Sequence, residues 1–175
     1  MNMMRFWRRL KDINRYLKGL IVSLIFSMAI LFFVFGQNEE DSTDLVNYVE
    51  RGDLISAQKC LDSGVGINSF RQEGWSGDRH NGATALIVAI EDDSLSKVQW
   101  VIDNGGDVNQ KAGGYGYPIT QASVQGNMDI IRELEKSGVK FDVIFLDMKC
   151  SEWARNSGHS DEFITYLLER ESLDY

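Results

Sequence analysis

The chain writes one kind of helix-stop three times: SGVGIN (Ser63 to Asn68), NGGDVN (Asn104 to Asn109) and SGVKFD (Ser137 to Asp142). In each, a glycine follows a stretch with apolar residues at helical spacing, the position where a chain leaves a helix through a left-handed residue. Aligning the stops brings the upstream segments into register. Gly52 precedes Gly64 by the same interval that separates Asp93 from Gly105 and Gly126 from Gly138. Each interval carries an apolar helical face: Leu54, Ala57, Leu61; then Leu95, Val98, Val101, Ile102; then Met128, Ile131, Leu134. A second short helix precedes each: DLVNYVER, TALIVAIED and PITQASVQ. A fourth copy without its stop runs CSEWARNSGHSDEFITYLLER, where Ala154 and Gly158 match Ala122 and Gly126.

The first period, Gly64 to Gly105, is the longest, and the next two, Gly105 to Gly138 and Gly126 to Gly158, are nearly equal. The shorter pair matches the roughly 33-residue spacing of a stacked helical repeat built from two short helices and a turn. No single copy of such a repeat can bury its own apolar face. Asp93 stands where the other copies place Gly between the two helices, and Asp tolerates a left-handed conformation better than most residues. Asn68, Asn109 and Asp142 suit the turn after each stop.

These motifs resemble the ankyrin repeat, whose pattern reads roughly G-x-T-P-L-x-x-A, then G-x-x-x-V-V-x-x-L, then G-A-D-V-N. NGATALIVAI with VQWVIDNGGDVN follows it closely, GYPITQASVQGNMDIIRELEKSG keeps its proline as Pro118, and SEWARNSGHSDEFITYLLE keeps the Ala and the Gly-His pair. The resemblance covers Asp44 to about Arg170 and is weaker at the ends, where terminal copies trade apolar positions for a solvated face. It implies an all-α solenoid of about four repeats over residues 44–175, the first and last atypical, and it implies a protein-binding role.

Before the repeats comes a different kind of segment. Gly19 to Asn38 carries no charge, and Leu20 to Phe35 reads LIVSLIFSMAILFFVF. Residues 19–36 as a helix reach about 27 Å, enough for a hydrocarbon core. Ser23 and Ser27 are too few for the polar stripe of a buried core helix. The run is longer than a signal-peptide core and Val34-Phe35-Gly36 is a poor cleavage site, so an uncleaved single transmembrane helix is expected. The basic segment 1–18 before it and the acidic linker 37–43 after it set the N-terminus in the cytoplasm and the repeats in the periplasm, at a bacterial inner membrane.

Charge narrows the partner. Of 18 Lys and Arg and 26 Asp and Glu, six basic residues and one acid lie within residues 1–19, so the remainder carries 12 against 25 and a net charge of −13. Such a surface is repelled by nucleic acid and suits a protein with a basic face. Cys60 and Cys150 both sit in apolar-periodic segments and are expected buried and unpaired.

The catalytic and metal motifs are weak. Glu91-Asp92-Asp93 falls at an exposed inter-helix turn, His159 occupies the Gly-His position of the repeat, and AGGYGY (Ala112 to Tyr117) lacks the strand-then-helix setting of a dinucleotide loop. No enzyme, cofactor, metal or small-molecule substrate is expected.

The informative departures are the connections. The first exceeds the usual length within SFRQEGWSGDRHNG, bringing Phe70, Arg71, Trp75 and Arg79; the second, QKAGGYGYP, brings Tyr115 and Tyr117. Copies stacked about 10 Å apart set these loops side by side. Aromatic and Arg side chains on Gly-rich loops compose a binding surface; the alternative is that Phe70 and Trp75 fold back as packing. The expected function is a membrane-anchored protein-binding module, such as an immunity protein that neutralises a periplasm-acting toxin. A scaffold or assembly factor of an envelope complex, using Ser23, Ser27 and Ala29 as its intramembrane face, is the alternative.

Overall fold

The computed structural model describes residues 42–71 and 82–173. The expected transmembrane helix at 19–36 and the segment before it lie outside these residues. Among the described residues no helix is long and apolar enough to cross a membrane.

The described residues are all-helical, forming four helix pairs. The pairs are α1 (Ser42–Arg51) with α2 (Leu54–Asp62), α3 (Ala85–Glu91) with α4 (Leu95–Asp103), α5 (Pro118–Gln125) with α6 (Met128–Lys136), and α7 (Cys150–Asn156) with α8 (Asp161–Leu173). Local chemistry starts them. Asp53 caps α2 by accepting from the Ser56 amide at 3.1 Å, and Thr84 caps α3 through Ile87 at 3.3 Å. Pro118 opens α5, where its missing N–H has no helical partner to lose. The stops at Gly64, Gly105 and Gly138 have φ of +102°, +87° and +81°, and Asp93 takes φ +51° at its inter-helix turn.

The pairs stack in order. Helices α1, α3, α5 and α7 form one row, each packed on the next, while each second helix lies against the first of its own pair. Leu45, Leu86, Ile90, Val98, Ile119, Ile130, Leu134 and Leu167 are fully or almost fully buried in one continuous core that runs through all four pairs. A smaller apolar cluster, Val46, Ala83, Ile87, Val88 and Ala112, sits apart from it, beneath the connections. Cys60 and Cys150 are buried, and neither forms a disulfide.

Polar bridges tie successive pairs together. Asn68 donates Nδ2–H to the Gly105 carbonyl at 3.0 Å and accepts from the Asp107 amide at 2.7 Å. Asn109 repeats the pattern one pair on, donating to the Gly138 carbonyl at 3.0 Å and accepting from the Lys140 amide at 2.8 Å. These asparagines therefore do more than suit their own turn: each clamps the next helix-stop, and Asp107 holds the turn itself by accepting from the Asn109 amide at 2.8 Å. Replacing Asn109 by Ala removes two hydrogen bonds, and a loss of about 2 kcal/mol is expected in the urea-unfolding free energy of the full chain. An unchanged midpoint would show the bridge to be incidental.

The fourth pair is fastened differently. Arg170 takes the place after Gly158 that Gly138 holds after Gly126, and α8 runs through it to Leu173 without a stop. Glu135 on α6 accepts from the Tyr166 hydroxyl and from Arg170 Nε, each at 2.5 Å, and the guanidinium lies 4.6 Å from the Tyr166 ring centroid. The Tyr166 hydrogen bond, with Arg170 assisting, holds the Glu135 carboxyl below its ordinary range. The His159 Nε2 lies 2.7 Å from the Val124 carbonyl oxygen and its ring is edge-on to Phe163.

Candidate functional site

The described parts of the three connections lie next to one another, Gly113 near Gly82 and Gly116 near Phe145, and they differ in what they expose. In the first, the Arg71 amide donates to the Ala83 carbonyl at 2.8 Å and the Gly82 amide to the Arg71 carbonyl at 3.1 Å, closing the base of the insertion. Trp75 and Arg79 lie within residues 72–81, outside the described residues. The Arg71 side chain turns inward. It is only 8% exposed, with Nη2 donating to Asn47 Oδ1 at 2.5 Å and Nη1 lying 3.4 Å from Glu50 Oε2. A guanidinium held this way fastens the loop base to α1 and is not part of an exposed recognition surface. Phe70 beside it is 43% exposed.

The second connection also folds back in part. Its 3-10 turn, Gly113–Tyr115, is closed by the Ala112 amide donating to Gly116 O at 2.8 Å. Tyr115 is half-buried against the smaller apolar cluster, so it does not project freely. Tyr117 is half-buried as well, with the Lys111 ammonium 5.9 Å from its ring centroid.

Among the described residues of the connections, the third carries the most exposed apolar groups. Ile144 is 58% and Leu146 67% exposed, in the run Val143-Ile144-Phe145-Leu146. Phe145 and Met148 exchange backbone hydrogen bonds of 3.0 and 3.1 Å across a two-residue turn, Leu146-Asp147. The Phe145 ring lies over the second connection: a Cβ on Gly116 would meet it at 2.6 Å, so glycine alone permits this approach. The same ring stacks on Trp153 at 6.0 Å and 25°, and the Trp153 indole N–H donates to the Phe145 carbonyl at 3.2 Å.

Where the second and third connections meet, an open groove of about 240 Å³ forms over α5 and α7. Tyr115, Phe145, Leu146 and Trp153 wall it, and Gln121 and Val124 line it from α5. None of its lining residues is charged. Of the acidic residues nearby, Glu91 accepts from the groove's own Gln121 at 3.1 Å, whereas Asp92 pairs with Lys97 at 2.7 Å and Asp93 accepts from Asn127 at 2.7 Å. This arrangement offers shape and apolar contact, with no nucleophile and base brought together in it.

Of the residues expected to bind, Tyr115 lines the groove, Tyr117 lies beside Lys111 and is not among its lining, Phe70 is exposed on the neighbouring connection, and Arg71 is withdrawn. Sequence reasoning missed Phe145, Leu146 and Trp153. For Phe145 and Leu146 one signal was available, since four consecutive apolar residues in a connection demand a purpose; Trp153, inside α7, had none. A scan against protein-family models finds no match to the chain, and a search among curated proteins finds none either.

Proposed function

We propose that the chain is a membrane-anchored protein-binding module: an ankyrin-type stack of about four repeats, first and last atypical, held in the periplasm by residues 19–36. The ankyrin reading is supported by left-handed turns that recur at one interval, Gly52 with Gly64, Asp93 with Gly105 and Gly126 with Gly138, and by the forward-reaching asparagines. One observation carries the binding reading. An open, uncharged aromatic groove sits where two connections meet, on a domain whose net charge favours a basic protein. Location, size and charge together favour an immunity protein that occludes a toxin with a basic surface.

The test is photo-crosslinking in living cells, with benzoylphenylalanine placed at Gln121 in the groove, at Phe70 on the first connection, and at Asp62 at the end of α2 as control. A discrete adduct from the first two positions, weakened by added salt and missing from the third, is the expected result. Adducts indistinguishable from the control, or none, would overturn the reading. Deleting the gene and challenging cells with an adjacent toxin gene's product tests the immunity role, and unchanged survival would remove it.

A further inference from the structure

We infer that the Leu146-Asp147 turn is the anchor point of this surface, and that its groove receives one apolar side chain carried on a basic segment of the partner protein. The inference rests on the protein-binding reading and names what the site binds.

The turn is the first observation. Leu146 and Asp147 have φ of +49° and +60°, so two successive residues with Cβ atoms hold left-handed conformations. Positive φ at both central residues of a two-residue hairpin is the type I′ pattern, which Asn-Gly fills without strain. Asp is tolerated there, whereas a branched, bulky Leu is a true outlier. The residue bearing this strain is 67% exposed, so burial of its side chain does not repay it. Local strain held against such a gradient is characteristic of binding elements. The turn aims Leu146 at the mouth of the groove, beside Phe145 and Trp153.

Size and charge identify the occupant. The groove, at about 240 Å³ and open, is smaller than the roughly 300–1,000 Å³ of pockets that enclose a small molecule. It fits a side chain presented from outside. Its lining is neutral, and the Glu91 carboxylate reaches it through Gln121. Lys111 stands 5.6 Å from the Phe145 ring centroid on the far rim. With the net charge of −13 behind it, this setting selects an apolar knob flanked by cations over one flanked by carboxylates.

The experiment uses the full chain in nanodiscs of zwitterionic lipid, with fluorine-labelled tryptophan and the Trp153 resonance assigned through Trp153→Phe. Three synthetic peptides serve as probes: leucine set among lysines, serine set among the same lysines, and leucine set among glutamates. The lysine–leucine peptide should shift the Trp153 signal and bind at least about 10-fold tighter than the other two. Leu146→Asn should weaken that binding by about 10-fold while raising the melting temperature by roughly 3 °C, because Asn adopts the turn with less strain. A merely structural Leu146 would instead give a lower melting temperature. Equal binding of the serine or glutamate peptide, wild-type binding by Leu146→Asn, or a stationary Trp153 signal with every peptide would each overturn the inference. A photo-crosslink from Gln121 that survives Leu146→Asn would sink this anchor alone, whereas loss of all specific crosslinks would sink the protein-binding reading beneath it.

Discussion

Gly126→Ala should lower the unfolding free energy by about 3 kcal/mol, while Gly138→Ala should lower it by only about 1 kcal/mol. Both glycines are left-handed, with φ of +79° and +81°, so the backbone penalty is shared. Their surroundings are not. A Cβ on Gly138 meets nothing within 4 Å, but one on Gly126 would collide with His159 Cε1 and lie 2.5 Å from its Nδ1. The ring cannot move aside freely, since its Nε2 is 2.7 Å from the Val124 carbonyl oxygen and it is held against Phe163 with centroids 5.3 Å apart. Urea titration of the full chain measures both substitutions. A double-mutant cycle with His159→Ala should return a coupling of at least about 1 kcal/mol, because removing the ring makes room for the methyl group. Equal losses for the two alanines, or a coupling near zero, would show that His159 does not seat the fourth pair on the third.

The helix pairs were legible because each depends on short-range signals: apolar residues at helical spacing, a capping side chain, and a left-handed stop. What lay outside the sequence's reach depends on partners far along the chain. Asn109 reads as a turn residue, yet its bonds go to Gly138 and Lys140, 29 and 31 residues away. Arg71 reads as an exposed loop cation because nothing local shows that Asn47 and Glu50 wait beneath it. The smaller apolar cluster did leave a trace. Helix α3 reads ALIVAI with no polar face, and a helix apolar all round must be covered on both sides. The groove was the least legible feature. Leu146-Asp147 carries no Asn or Gly to announce a tight hairpin, and Trp153 occupies a helix position that elsewhere holds Asn47, Val88 and Gln121.

Glu171→Leu should cost about 3 kcal/mol, and Glu171→Gln about 1 kcal/mol. Glu171 is only 3% exposed, and its carboxylate spans two helices: Oε1 accepts from the Ser151 amide at 2.7 Å and Oε2 from the Ser151 hydroxyl at 3.0 Å. At the start of α7 Lys149 offers no side-chain acceptor; Glu152 of the same helix accepts from the Lys149 amide at 2.8 Å, and the Ser151 amide is taken by α8 from 20 residues away. A carboxylate there also meets the positive end of the helix dipole. Leucine fills the volume but leaves two donors buried without acceptors. Glutamine keeps one acceptor, and its amide can donate to the serine hydroxyl, which restores most of the pairing. Amide exchange at Ser151 offers a second readout, accelerating with Leu and far less with Gln. Cys150 gives a third: its thiol is pushed up to about 12, first by burial and then by the Glu171 charge, so it stays protonated in the native chain. Both variants remove the Glu171 charge, so thiol labelling faster in Glu171→Leu than in Glu171→Gln reports that α7 has come loose. If Glu171→Leu were as stable as the parent chain, the buried carboxylate would be passive filling and the fourth pair would be held by its apolar contacts alone.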